Sequence, residues 1–342
     1  MAINSSLASL SETLWTAATG TYMLAVVAYT GEYAFGRSGR VAKTSSDAVI
    51  REPALAGAGG SLADRPAPTD SSMASYGAGT VQPRGGDSGR RWGTIAVALT
   101  VLGAAFHLAS VAIRGIAVDR VPWGNMYEFT LVVGLVATIA WLATLVKMPQ
   151  LSYLGMFVML PVVLLMFLAG TLYTKASKLV PALQSYWLAI HVSSIATAEG
   201  ILLTSAALTG MYLLRARYEK ISVTGGSHRF ASWGSRFPAA ASLDKAAYRT
   251  VAFAFPIYTA GVIFGAIWAE AAWGRYWGWD PKETWAFIAW VIYAMYLHAR
   301  ATAGWKGGRA AYINLLGFGA MTFNFFVVNI VISGLHSYAG LN

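Results

Sequence analysis

Eight apolar runs dominate the chain, at about residues 12–36, 93–118, 127–147, 152–171, 186–214, 250–270, 284–303 and 310–334, with polar stretches between them. Each run approaches or exceeds the roughly 20 residues that a helix rising 1.5 Å per residue needs to cross about 30 Å of hydrocarbon. The pattern predicts an all-α, polytopic integral membrane protein of about eight transmembrane helices. The first run is too long for the apolar region of a secretory signal. It has no Lys or Arg before it and shows no small-x-small cleavage site, so it is expected to remain as a span. After it, residues 37–92 are rich in Gly, Ala, Ser, Pro and Asp, a composition that buries too little apolar surface to offset the entropy of ordering. The expected organisation is therefore a first transmembrane helix (1–36), a disordered cytoplasmic linker (37–92) and a seven-helix core (93–342).

Composition supports this picture and narrows the chemistry. Of 342 residues, 56% are hydrophobic and 12% charged, half the roughly 25% charged residues of a soluble globular domain. The chain has no cysteine, which excludes thiolate nucleophiles, thiolate metal sites, iron–sulfur clusters and internal disulfides. No P-loop or dinucleotide glycine pattern is present. In a soluble protein a net charge of +10 would suggest nucleic acid; here the sidedness of the cations carries the information. With the amino terminus outside, only Arg114, Arg120, Lys175, Lys178, Arg275 and Lys282 of the 25 Lys and Arg fall in outer loops. The remainder concentrate in inner loops, eight of them between Arg37 and Arg91 and seven between Arg215 and Arg249. This bias predicts both termini extracytoplasmic.

Six of the 13 tryptophans, Trp268, Trp273, Trp277, Trp279, Trp285 and Trp290, lie within 23 residues around the outer loop joining the sixth and seventh spans. Single tryptophans at helix ends anchor a protein at headgroup level. The clustering in Trp273-Gly-Arg-Tyr-Trp-Gly-Trp-Asp-Pro281 goes further, because two glycines let the backbone turn and lay several indoles on one apolar platform. A flat aromatic ligand suits such a platform. Two of the five histidines share its depth: His191 near the outer start of the fifth span and His336 just past the outer end of the eighth. Each taken alone reads as readily as a hydrogen-bonding interfacial residue. Two imidazoles meeting a planar aromatic shelf are the ingredients of a bis-histidine haem site, which takes axial ligands on opposite faces of the macrocycle.

His298 lies about 14 residues, or roughly 21 Å, down the seventh span, so it is a functional candidate whose second ligand would come from another protein. His107 differs from it in depth by roughly 13 Å and is expected to make an interhelical hydrogen bond. His228 in the basic inner loop reads as surface. Glu199, near the middle of the fifth span, is either a neutral, hydrogen-bonded carboxyl or a group that serves proton or ligand movement.

The string Trp273 to Asp280, followed by Pro281-Lys-Glu-Thr-Trp285, resembles the tryptophan-rich WWD signature of the haem-handling proteins of cytochrome c biogenesis, and most closely the CcsA (ResC) family of the system II pathway. The resemblance extends to Val121-Pro-Trp-Gly-Asn-Met-Tyr-Glu128, Ser185-Tyr-Trp-Leu-Ala-Ile-His191-Val, Tyr296-Leu-His298-Ala-Arg300 and Ser333-Gly-Leu-His336-Ser-Tyr338. It implies that His191 and His336 are external axial ligands of haem iron and that His298 is a ligand within the membrane. It implies haem b as the transported substrate, held against Trp273, Trp277 and Trp279 and presented to the CxxCH segment of apocytochrome c. It also implies a CcsB (ResB)-type membrane partner, together forming a cytochrome c synthase in the bacterial plasma membrane with the tryptophan loop on the outer side. Asp280 is expected to shape the loop, and Arg275 or Lys282 to pair with the haem propionates. Without cysteine, the chain would depend on external thiol reductants for its client. Two other functions stay open at this point: a haem exporter or chaperone without attachment activity, and an ion-coupled transporter using Glu199 and His298.

Overall fold

A backbone crossing hydrocarbon must satisfy its own N–H and C=O groups, and runs of about twenty apolar residues do so as helices. The computed structural model describes residues 3–35, 86–179, 183–224, 234–235, 237–302, 304–332 and 334–336, and among them every regular element is helical. The helices are α1 (Ser5–Phe35), α2 (Gly86–Val118), α3 (Met126–Lys147), α4 (Gly155–Thr171), α5 (Tyr186–Val223), α6 (Ala240–Trp273), α7 (Pro281–Ala301) and α8 (Gly308–Ile330). A 3-10 turn at Pro149–Leu154 leads into α4. Six of the eight, α2 to α6 and α8, are both long and apolar enough to cross a membrane. The other two have the length, 31 residues in α1 and 21 in α7, but are less apolar, α1 through threonines and tyrosines such as Thr16, Thr19, Thr21 and Tyr22 and α7 through Lys282, Glu283 and Arg300.

Several helices outrun the spans expected from hydropathy. α2 begins at Gly86, so residues 86–92, expected in the linker, are helical; the rest of that linker and His228 lie outside the described residues. The early start follows from glycine-mediated packing. A Cβ on Gly31 would lie 2.8 Å from the Trp92 ring, and one on Gly93 would lie 2.5 Å from a Glu32 carboxylate oxygen. The two backbones therefore approach closely at this end. Along α1 the stripe Ala18, Tyr22, Ala25 and Tyr29, spaced at three and four residues, is fully buried.

The main packing partnerships are α1 with α2 and α5 with α6, followed by α7 with α8 and α3 with α5. One apolar core is built mainly from α1 to α5, with Leu243 and Ala247 of α6 and Ala311 of α8 joining it, and a second gathers residues of α5 to α8. α5, α6 and α8 contribute to both and so tie the amino-terminal and carboxy-terminal halves together.

Of two buried polar contacts, one revises an expectation and one meets it. Arg114, counted as an outer-loop cation, sits inside α2 with 1% exposure. It donates from Nε to Glu128 at 3.1 Å, while Arg120 binds the other carboxylate oxygen at 2.7 Å and the Gly124 N–H donates to it at 2.8 Å. With Asn125 capping α3 by accepting from the Glu128 N–H, this folds the Val121 to Glu128 segment against the bundle end. His107 is fully buried, its Nδ1 3.3 Å from the Tyr22 hydroxyl, an interhelical contact of the expected kind.

Candidate functional site

At one end of the bundle the α2–α3, α4–α5 and α6–α7 connections and the segment after α8 surround a single cavity. Its walls include Trp123, Trp268, Trp273 and Trp277, and both His191 and His336 line it. Residues separated by 145 positions in sequence are thus brought to one site.

His191 stands in the second turn of α5, behind the cap that Ser185 provides by accepting from the Trp187 N–H. Its Nδ1 is 2.8 Å from the carbonyl oxygen of Gly261 in α6. A carbonyl only accepts, so Nδ1 carries the proton and Nε2 holds the lone pair. The ring fits because α6 has Gly265 there: a Cβ at that position would lie 2.6 Å from His191 Cε1. On one face the imidazole stacks on Trp268, with centroids 6.0 Å apart and planes 11° from parallel.

His336 reaches the site from the short segment after α8. Its Nδ1 is 2.9 Å from Oδ2 of Asp280, which fixes the same tautomer. The Trp273 and Trp268 rings meet it edge to face at 5.0 and 5.8 Å. Burial pulls the His336 pKa down against the opposing pull of the Asp280 carboxylate. In the neutral form each ring presents Nε2 as the lone-pair nitrogen, the form in which histidine ligates metal, and each is oriented by an acceptor on its other nitrogen.

Asp280 connects loop, helix and ligand. It is the N-cap of α7, accepting from the Lys282 N–H while Glu283 reaches back to the Asp280 N–H. Oδ1 accepts from the Leu335 N–H at 2.8 Å. Burial pushes its pKa up, but the hydrogen bonds from His336, Leu335 and Lys282 outweigh it and hold the carboxyl at about 2. The loop before it is tightly specified. Gly274 ends α6 at φ +71°, and Trp279 takes φ +58°, a left-handed conformation that costs a non-glycine residue about 1–2 kcal/mol. Glu283 holds the turn by accepting from the Gly278 N–H, and the Thr284 hydroxyl donates to the Trp279 carbonyl.

The residues expected at the site do not all converge. Trp273 and Trp277 line the cavity; Trp279 is 66% exposed and packs instead on Trp277 and Phe287. His298 lies in the last turn of α7, exposed on the bundle surface and away from the cavity. Glu199 is buried and lines both the aromatic cavity and an apolar groove bordered by Pro161, Leu203 and Phe326. His298 lines neither of them. Of the two candidate loop cations, Arg275 does not line the cavity and pairs at 3.4 Å with Glu283, which does, whereas Lys282 lines the cavity. Sequence reasoning did not single out Gly261, Gly265, Asn324, Asn329 or Tyr258, whose roles depend on contacts between helices.

The family profile described as "Cytochrome C assembly protein" matches residues 123–336. The chain is similar to proteins named "Cytochrome c biogenesis protein CcsA". The one from Guillardia theta is 42% identical over 177 residues, covering 49% of this chain and 59% of that relative. Those from Trieres chinensis and Mesostigma viride are 35% and 34% identical over 256 and 247 residues, each covering 67% of this chain and 81% and 80% of the relative. The chain thus spans less than two thirds of the Guillardia relative and about four fifths of the other two.

Proposed function

The chain belongs to the cytochrome c assembly protein family, with a role in cytochrome c biogenesis, and from that premise we propose that it binds haem b as a transported substrate between His191 and His336 and presents it to the CxxCH segment of apocytochrome c. The observation that carries this reading is the convergence of two histidines in one tryptophan-lined cavity, each with Nδ1 held by an acceptor. Neutral imidazoles supply axial nitrogens to haem iron, and the indoles of Trp268, Trp273 and Trp277 supply apolar surface for a macrocycle. Asp280 orients His336, and Gly261 orients His191. Haem bound there brings vinyl groups that client thiols convert to thioethers.

In this proposal all eight helices cross the membrane, with both termini and the tryptophan loop on the extracytoplasmic side of a bacterial plasma membrane; the cation bias supports that orientation. The surface position of His298 suits a ligand shared with a CcsB (ResB)-type partner during passage from the cytoplasmic side. The pair then acts as a system II cytochrome c synthase.

The test is spectroscopic. The full chain is purified from haem-replete cells with and without the partner, and oxidised and reduced visible spectra are recorded for wild type and for His191→Ala, His298→Ala, His336→Ala and the control His228→Ala. The expected result is a six-coordinate, low-spin haem that persists in the control and is weakened or lost in His191→Ala and His336→Ala. His298→Ala is expected to matter when the partner is present. Absence of haem under both conditions, or spectra insensitive to His191 and His336, would refute the assignment.

A further inference from the structure

Lys282 is an unusual residue in an aromatic cavity. Its ammonium has three donors, and its hydrogen-bond partners among the described residues are neutral oxygens: the Asn324 carbonyl at 3.4 Å and Asn329 Oδ1 at 3.0 Å. No carboxylate lies within ion-pair distance of it among these residues. The acids adjacent to it are committed elsewhere, Asp280 to His336 and the Leu335 N–H, Glu283 to Arg275 and the loop amides. Glu199, which lines the same cavity, acts on Lys282 through space, as Asp280 does. A second polar group points to the same place. Asn324 is 6% exposed and lines the cavity, and its Oδ1 has no hydrogen-bond partner among the described residues. A carboxamide presents either its oxygen or its NH2 after rotation, so it also offers a donor to an incoming acid. A cation with spare donor capacity, a carboxamide lacking a partner and an aromatic wall together describe a receptor for a flat apolar molecule bearing a carboxylate.

We propose that Lys282, with Asn324, binds the propionate carboxylates of the haem held at this site and so sets its orientation. The inference rests on the reading of His191 and His336 as axial ligands and adds to it the end at which the acid groups lie. Lys282 Nζ reaches alongside the last two turns of α8, on the inner side of His336, which follows that helix. The two propionates of protohaem share one half of the macrocycle and the vinyl groups occupy the other. Carboxylates anchored inward at Lys282 therefore turn the vinyl edge toward the loops at the mouth of the cavity, where a client peptide has access. Arg275 is not part of this anchor, because its guanidinium is engaged by Glu283.

The test compares ferric protohaem with its dimethyl ester, which keeps the iron, ring and vinyl groups but removes both negative charges. Each is titrated into the haem-free, detergent-purified full chain, with affinity and coordination read from the Soret band. A charge-assisted hydrogen bond predicts that wild type binds the diacid roughly ten- to a hundredfold more tightly than the diester. Lys282→Gln is expected to erase that preference while keeping the six-coordinate spectrum, Lys282→Arg to retain most of it, and Arg275→Gln to leave it intact. Equal affinity of the unaltered chain for diacid and diester overturns the proposal without reliance on any variant. So does a preference that survives Lys282→Gln or vanishes in Arg275→Gln. If neither compound gives a six-coordinate spectrum with wild type, the histidine reading itself fails and this inference falls with it; a normal spectrum with no diacid preference refutes Lys282 alone.

Discussion

Replacing Asp280 with Asn tests whether the tautomer of His336 is set from outside the ring. The wild-type carboxylate accepts from His336 Nδ1 at 2.9 Å, from the Leu335 N–H at 2.8 Å and from the Lys282 N–H at 3.2 Å. Asn is an equally good N-cap residue, but the capping Lys282 N–H and the His336 ring share Oδ2, so the cap is kept where the amide oxygen takes that place. One acceptor oxygen becomes an NH2 donor, however. Nδ1 and the Lys282 N–H share Oδ2 while the Leu335 N–H binds Oδ1, so an NH2 at the Oδ2 place makes the ring lose the contact or move its proton to Nε2, and an NH2 at the Oδ1 place releases Leu335 and with it the segment that carries His336. A protonated Nε2 cannot ligate iron. Loss of an orienting partner of this kind weakens metal affinity by roughly 10- to 100-fold, or about 1.4 to 2.8 kcal/mol. The assay is titration of haem-free Asp280→Asn with ferric haem, following affinity and the low-spin Soret band, with thermal unfolding as a parallel measure of the helix cap. The expected outcome is a weakened, partly five-coordinate complex with a small fall in unfolding temperature, because ring and cap share Oδ2. Asp280→Ala should lower both further, since it removes the cap outright. Wild-type affinity and a fully low-spin spectrum in Asp280→Asn would refute the orienting role.

Three further outcomes follow from the same geometry. Gly265→Ala places a methyl group 2.6 Å from His191 Cε1, so the ring must leave its bond to Gly261; haem affinity in the same titration should fall by about 10- to 100-fold although both ligands remain. Glu128→Gln removes the charge that buried Arg114 shares with Arg120 and leaves Arg114 only Glu12, at 3.7 Å, as a carboxylate partner, and thermal unfolding in detergent should show a destabilisation of about 3 kcal/mol. His191 is fixed on a helix against Trp268 whereas His336 hangs on a short segment held through Asp280, so His191→Ala should cost more haem affinity than His336→Ala, as equilibrium titration of the two variants will show.

Much of this architecture could be read locally. Span-length apolar runs identify helices because hydrocarbon leaves the backbone no other partner, and all eight runs are helices. The turn into α7 was legible in Asp280-Pro281-Lys282-Glu283, where a capping residue, a proline at the first helical position and a glutamate at the third coincide. Helix ends were not legible in the same way. α5 and α6 run to 38 and 34 residues, because helical hydrogen bonding continues past the hydrocarbon when neighbouring helices and ion pairs such as Arg300 with Asp244 cover the extension. Hydropathy reports the thickness of the apolar layer, and the helix obeys its packing.

The site itself depends on relations between helices, and there sequence left real choices. Arg275 and Lys282 are seven positions apart in one loop, carry the same charge and looked equally able to meet an anion. Glu283 separates them: by accepting from the Gly278 and Asp280 N–H groups it folds the loop, and the same carboxylate then captures Arg275. Lys282, the second residue of α7, lines the cavity and reaches α8. Trp277 and Trp279 part in the same way, since the left-handed residue at 279 turns its indole onto Phe287 while Trp277 stays on the cavity wall. A single short loop thus sorts its side chains into those that line the cavity and those that face outward, and the sorting rests on backbone conformations and one carboxylate that composition and spacing do not encode.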